Sequence, residues 1–164
     1  MRISRNLLPL ILLLAGVAAA QSGPAQVTIE GRDGKLTTLT LQDLKQMPRQ
    51  TISVVDPKTK ATEKYEGVLL SDVLAKANAP TGKTLHGPEL RDYVEVMASD
   101  QYHVIFSLAE LDPPTHANRV LLADTMDGKA LDPTQGPLKL IAPEDLRPER
   151  WVRMVTKLSI HQAP

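Results

Sequence analysis

Hydrophobic residues recur along most of this chain with a period of two, in short runs broken by Gly, Pro, Asn and Asp. That pattern predicts strands joined by tight connections. Val27 to Glu30 alternates as a strand, Asp33-Gly34 is a hairpin signal, and Leu36 to Leu39 returns as its partner. Thr51 to Val55 is β-branched and predicts a strand, with Thr62 to Tyr65 returning beside it and Gly67 turning the chain. Tyr93 to Met97 is the cleanest alternation, followed by a tight connection at Asp100-Gln101 and a strand over His103 to Phe106. Val120 to Ala123 is a buried run, Asp127-Gly128 and Gln135-Gly136-Pro137 bracket a loop, and Leu138 to Ala142 forms another strand. The last strand is expected over Trp151 to Ile160, where the apolar positions do not keep one phase and a bulge or twist follows.

Period 3.6 is confined to three short stretches. Leu41 to Met47 reads as a helix capped by Thr40 and stopped by Pro48. Ser71 to Ala77 reads as a second, capped by Ser71 and stopped by Asn78 and Pro80. Ser107 caps a turn running to Leu111. Short strands with a few two-turn helices predict an α+β fold around mixed or antiparallel strands.

The N-terminus carries a different pattern. Met1 to Arg5 holds two arginines, Leu7 to Ala20 is apolar, and Ala18-Ala19-Ala20 precedes Gln21. These are the charged, apolar and small-residue regions of a secretory leader, shorter than the roughly 20 apolar residues a membrane span needs. The expected organisation is a leader over 1–20 removed near Ala20, a flexible lead-in over 21–26, and a single domain over 27–164. The mature protein is then periplasmic or secreted, with no membrane insertion after cleavage.

Composition removes several chemistries. Of 19 basic residues against 19 acidic, Arg2 and Arg5 leave with the leader, so the remainder is slightly acidic and offers no footprint for nucleic acid. The sequence has no cysteine, which rules out disulfides, thiolate nucleophiles and any protein thiolate on a metal. The four histidines form no zinc-hydrolase pattern, no serine sits in a nucleophile elbow, and the glycines form no phosphate loop. His103 alone lies on a strand beside a tyrosine and is a candidate site residue against the plainer reading of a strand-edge histidine.

One segment concentrates polar chemistry. Gly136 to Arg153 joins two expected strands through a loop with Glu144, Asp145, Arg147, Glu149 and Arg150, and the chain's only tryptophan, Trp151, follows directly. Arginine forks suit a planar acceptor edge or a phosphate, and an indole offers a stacking face; a salt-bridged loop with Trp151 as core anchor is the alternative.

This segment resembles the C-terminal signature of the oxidoreductase molybdopterin-binding domain of the sulfite oxidase family: Gly-Pro, a hydrophobic strand, a Pro-led polar loop and a basic-Trp pair. Upstream, Leu39 to Met47, Tyr65 to Leu74, Asp100-Gln101-Tyr102 and the stretch from Leu122-Ala123 to Asp127–Leu131 resemble further elements of that family in the same order. The resemblance departs between Thr51 and Tyr65, where the family's enzymes carry the cysteine that ligates molybdenum and this chain has no sulfur. It therefore implies a sulfite-oxidase-like fold and a non-catalytic periplasmic module for a pterin-type ligand that reports to a membrane partner. A molybdopterin-dependent oxidoreductase subunit and a ligand-free interaction scaffold are the alternatives. The cofactor expected is a pterin or molybdopterin, neither fixed by the residues, and no metal ligand is assigned. The resemblance places Arg147 and Arg150 on the ligand and Trp151 against its ring. Asp100 and Tyr102 line the same cleft, with Asp100 accepting from an amino-pyrimidine edge.

Overall fold

The computed structural model describes residues 25–56 and 59–164; the expected leader and most of the lead-in lie outside them. Two five-stranded sheets make up the domain. The first has the order β2-β1-β10-β5-β6, from β1 (Gln26–Glu30), β2 (Leu36–Thr40), β5 (Asp92–Ala98), β6 (His103–Ser107) and β10 (Val155–Gln162). It is mixed, because β1 runs parallel to β10 while the other pairs are antiparallel. The second contains β3 (Gln50–Val55), β4 (Thr62–Leu69) and β7 (Leu121–Met126); β8 (Lys129–Ala130) and β9 (Lys139–Ile141) share the free edge of β7.

Burial explains the two kinds of strand. In β5 every second residue is buried, so one face meets the core and the other is partly exposed. In β7 the first four residues are all buried, because apolar clusters cover both faces of that sheet. The larger cluster takes Val27 and Ile29 from β1, Val94 and Val96 from β5, and Leu158 and Ile160 from β10. Beyond the second sheet, Ile52, Tyr65, Leu121 and Ile141 form a smaller cluster, and Trp151 packs against both.

Helix α1 (Leu41–Lys45) has a reciprocal cap: Asp43 N–H donates to Thr40 Oγ1, and Thr40 N–H donates to Asp43 Oδ2 at 2.8 Å. Ser107 likewise caps α3 (Leu108–Leu111) by accepting from Glu110 N–H. Helix α2 (Leu70–Ala75) departs from expectation: Ser71 is not its cap. The helix starts one residue earlier, and its first N–H, on Leu70, donates to the Val120 carbonyl at 2.9 Å. The carbonyl of the residue just before β7 therefore satisfies the end that a hydroxyl would otherwise serve. Among the described residues no helix is long and apolar enough to cross a membrane.

Three other expectations are corrected. Gly67 does not turn the chain; β4 runs through it to Leu69, and a Cβ there would lie 2.6 Å from Ala123 Cα. The glycine permits close passage of β7 at a register shift between Glu66 and Gly67. The bracketed loop after Asp127-Gly128 contains the short strand β8. The final strand begins at Val155, because residues 151–154 spend their backbone elsewhere: Val152 C=O accepts from Leu140 N–H, Met154 N–H donates to Gln135 C=O, and Met154 adopts φ 52. The expected irregularity occurs between Val155 and Lys157.

Candidate functional site

Four segments distant in sequence meet in one groove: Asp56 and Glu63 beside the β3–β4 connection, the stretch leading into β9, the β5–β6 turn and the turn before β10. Its first lobe, ≈ 340 Å³, is lined by Asp56, Glu63, Gln135, Lys139, Trp151 and Arg153. The second, ≈ 250 Å³, is lined by Asp100, Tyr102, Glu149, Trp151 and Arg153. Trp151 and Arg153 border both lobes.

Lys139 governs the chemistry of the first lobe. It sits on β9 between apolar neighbours and is only 8% exposed. Its Nζ donates to Tyr65 Oη at 2.9 Å and to Gln135 Oε1 at 2.5 Å. Tyr65 Oη in turn donates to Glu63 Oε2 at 2.8 Å. Burial pushes the Lys139 amine down from the ordinary lysine range; Glu63 pulls it back and Arg153 adds to the lowering. Burial and the Glu63 carboxylate both push the Tyr65 phenol up, so it stays neutral. Gln135 is held from behind, its Nε2 donating to Asp132 Oδ2 at 3.1 Å. The chain Glu63–Tyr65–Lys139–Gln135–Asp132 is thus a connected polar network whose amine borders the groove.

In the second lobe, Tyr102 Oη donates to the Glu149 carbonyl at 2.6 Å and closes the β5–β6 turn onto the turn before β10. Asp100 uses Oδ1 to accept from Tyr102 N–H at 3.1 Å. Trp151 Nε1 donates to the Ala142 carbonyl at 2.8 Å, and its ring meets Tyr65 edge-on at 6.5 Å. These ties hold the half-buried indole as the wall between the lobes.

The structure brings Asp100, Tyr102 and Trp151 together and leaves His103, Arg147 and Arg150 outside the lobe linings. His103 lies on the exposed face of the first sheet, its Nε2 3.9 Å from Glu95. Arg147 is exposed and precedes the 3₁₀ turn Pro148–Arg150. Arg150 makes a bidentate pair with Asp145 at 2.8 and 2.5 Å, reaches Glu110 at 2.8 Å and stacks 4.1 Å from the Phe106 ring centre. Those hydrogen bonds raise its already high pKa further and engage it as a brace between the polar loop and α3.

Lys139, Arg153, Glu63 and Asp56 are site residues that sequence reasoning missed. Lys139 had a readable signal, a charge within Leu138-Lys139-Leu140-Ile141, because buried lysines are rare without a partner. Arg153 follows Trp151 by two residues; the contributions of Glu63 and Asp56 depend on how β3 and β4 approach the rest.

The lining tests what the groove can hold. The departing stretch between Thr51 and Tyr65 supplies Asp56 and Glu63, hard oxygen donors where a soft thiolate would be needed for molybdenum. The groove residues therefore do not fit a thiolate-bound metal. They do fit a planar, polar heterocycle: carboxylates for amino and ring N–H donors, an indole wall, and two cations for carbonyl or phosphate oxygens.

Comparison with known proteins identifies the family and the fold. The family model of the oxidoreductase molybdopterin binding domain matches residues 16–164. Among solved structures, the sulfane dehydrogenase SoxCD from Paracoccus pantotrophus superposes with TM-score 0.64 at 20% identity, covering 85% of this chain and 38% of that one. The chain thus spans well under half the length of that structure, and at this identity the likeness is one of fold. No curated protein matches the chain.

Proposed function

The chain belongs to the oxidoreductase molybdopterin-binding domain family, and on that premise we propose that it is a non-catalytic binding module for a pterin-type ligand, exported to the periplasm and reporting to a membrane partner. One observation carries the reading: the groove pairs the Trp151 wall with Lys139 and Arg153 but contains no sulfur. Asp100 would accept from the amino-pyrimidine edge in the second lobe, Lys139 and Arg153 would hold carbonyl or phosphate oxygens in the first, and Trp151 between the lobes would flank the ring. Arg150 acts through Asp145 and Glu110 as a positioning residue.

A molybdopterin-dependent oxidoreductase subunit is the second reading. The paired cations favour it, since they suit a cofactor phosphate as well as a ring carbonyl.

Trp151 is the chain's single tryptophan, so its fluorescence reports directly on the groove. Titration with neopterin should quench it saturably. Lys139→Met and Arg153→Met should each weaken binding by about tenfold, as expected for loss of a charge-assisted hydrogen bond. Unchanged emission together with no heat of binding would remove the pterin reading.

A further inference from the structure

Of the lysines among the described residues, Lys139 alone is buried, yet it lines the first lobe beside Trp151 and Arg153. Both of its hydrogen-bond partners are uncharged acceptors, and each is fixed in that role by a further contact. The Tyr65 hydroxyl spends its own proton on Glu63, and Gln135 turns its amide nitrogen to Asp132, so each meets Nζ with an oxygen.

Two acceptors are what a neutral amine can serve with its two N–H bonds. Its remaining position carries the lone pair, and no other hydrogen bond among the described residues engages it. Burial favours that neutral form, and desolvated amines in such pockets are the ones that add to carbonyl groups. A flat surface stands next to this nucleophile. Nζ lies 6.0 Å from the Trp151 ring centre, so a planar ring laid along the indole carries a substituent to the amine. The lobe, ≈ 340 Å³, has room for one substituted ring.

We infer that the groove captures aldehydes covalently: Lys139 forms an imine with an aldehyde borne on a planar ring that lies against Trp151. The nitrogen attacks the carbonyl carbon, and the C=O π pair moves to oxygen. The two amine protons then leave with that oxygen as water, so the step needs no oxidant, reductant or co-reactant. Tyr65 Oη, between the amine and the Glu63 carboxylate, gives those protons a path along the groove wall. This activity goes beyond pterin binding, because it requires the aldehyde and not the amino-pyrimidine edge.

The test is labelling of the full chain with equimolar pyridoxal phosphate at neutral pH, followed by cyanoborohydride reduction and peptide mass spectrometry. The label should fall mainly on Lys139, although every other lysine among the described residues is more exposed. Lys139→Arg, which keeps a cation on a similar stem, should lose both that label and the imine absorbance. Trp151→Leu should lower labelling at Lys139 severalfold. Label spread over the exposed lysines with Lys139 unmodified overturns the inference, as does labelling of Lys139 that Trp151→Leu leaves unchanged. No pterin takes part, so a failed neopterin titration leaves a positive labelling result standing, and failed labelling leaves the pterin reading standing.

Discussion

Lys139 joins fold and site in one side chain. Its stem lies in the core, yet its amine borders the groove, tied to Tyr65 and Gln135. Because burial favours the neutral amine, its folded-state pKa lies below the ordinary 10.5. Below the folded midpoint both states are charged and the cost of burial is constant. Between that midpoint and 10.5 the unfolded chain binds more protons, so this residue makes stability rise with pH. A side-chain NMR titration should place the Lys139 midpoint below 10.5, with the rise in stability absent from Lys139→Met; a midpoint at or above that value contradicts the burial argument. Asp100 and Arg150 should separate in another way. Asp100→Asn should weaken pterin binding without loss of stability, whereas Arg150→Met should cost roughly 2 kcal/mol of stability by leaving Asp145 and Glu110 unpaired. Chemical denaturation beside calorimetric binding distinguishes the two.

At the scale of elements, an ion pair and a glycine fix how the second sheet is assembled. Arg49, between α1 and β3, makes a bidentate pair with Asp124 of β7 at 2.7 and 2.6 Å. Burial alone would raise the Asp124 pKa, but the Arg49 and Thr125 hydrogen bonds together with the Arg49 charge outweigh it and hold the carboxyl below the usual range. Its contribution to stability is present above the unfolded carboxylate pKa and is lost as pH falls through the folded one. Arg49→Met leaves that carboxylate buried and unpaired, and should cost about 3–5 kcal/mol near neutral pH, less in acid. Gly67→Ala forces β4 away from the β7 backbone and should cost roughly 1–3 kcal/mol. Denaturant midpoints check both. The local signals were legible here: the Thr40 and Ser107 caps, the Asp33-Gly34 turn and the alternation of β5 follow from neighbouring residues. Three of the misreadings share one cause. Ser71, Gly67 and residues 151–154 take their roles from backbone distant in sequence, which no local pattern encodes.

Across the whole molecule, the same division applies to the site. The residues themselves picked out the polar segment from Gly136 to Arg153, and of those the resemblance placed on a cleft, Asp100, Tyr102 and Trp151 border one groove lobe. Which cations enter depended on packing: Arg150 is drawn off by Asp145, Glu110 and Phe106, while Lys139 and Arg153 line the first lobe. The domain therefore keeps the family's sheet architecture while presenting carboxylates and an amine, and no thiolate, at its groove. The most direct test is mass spectrometry with metal analysis of the protein recovered from the cells that make it. An organic pterin at near-stoichiometric amount without molybdenum is the predicted result. Stoichiometric molybdenum with molybdopterin would contradict the account and make this chain an oxidoreductase subunit that holds its metal without a thiolate of its own.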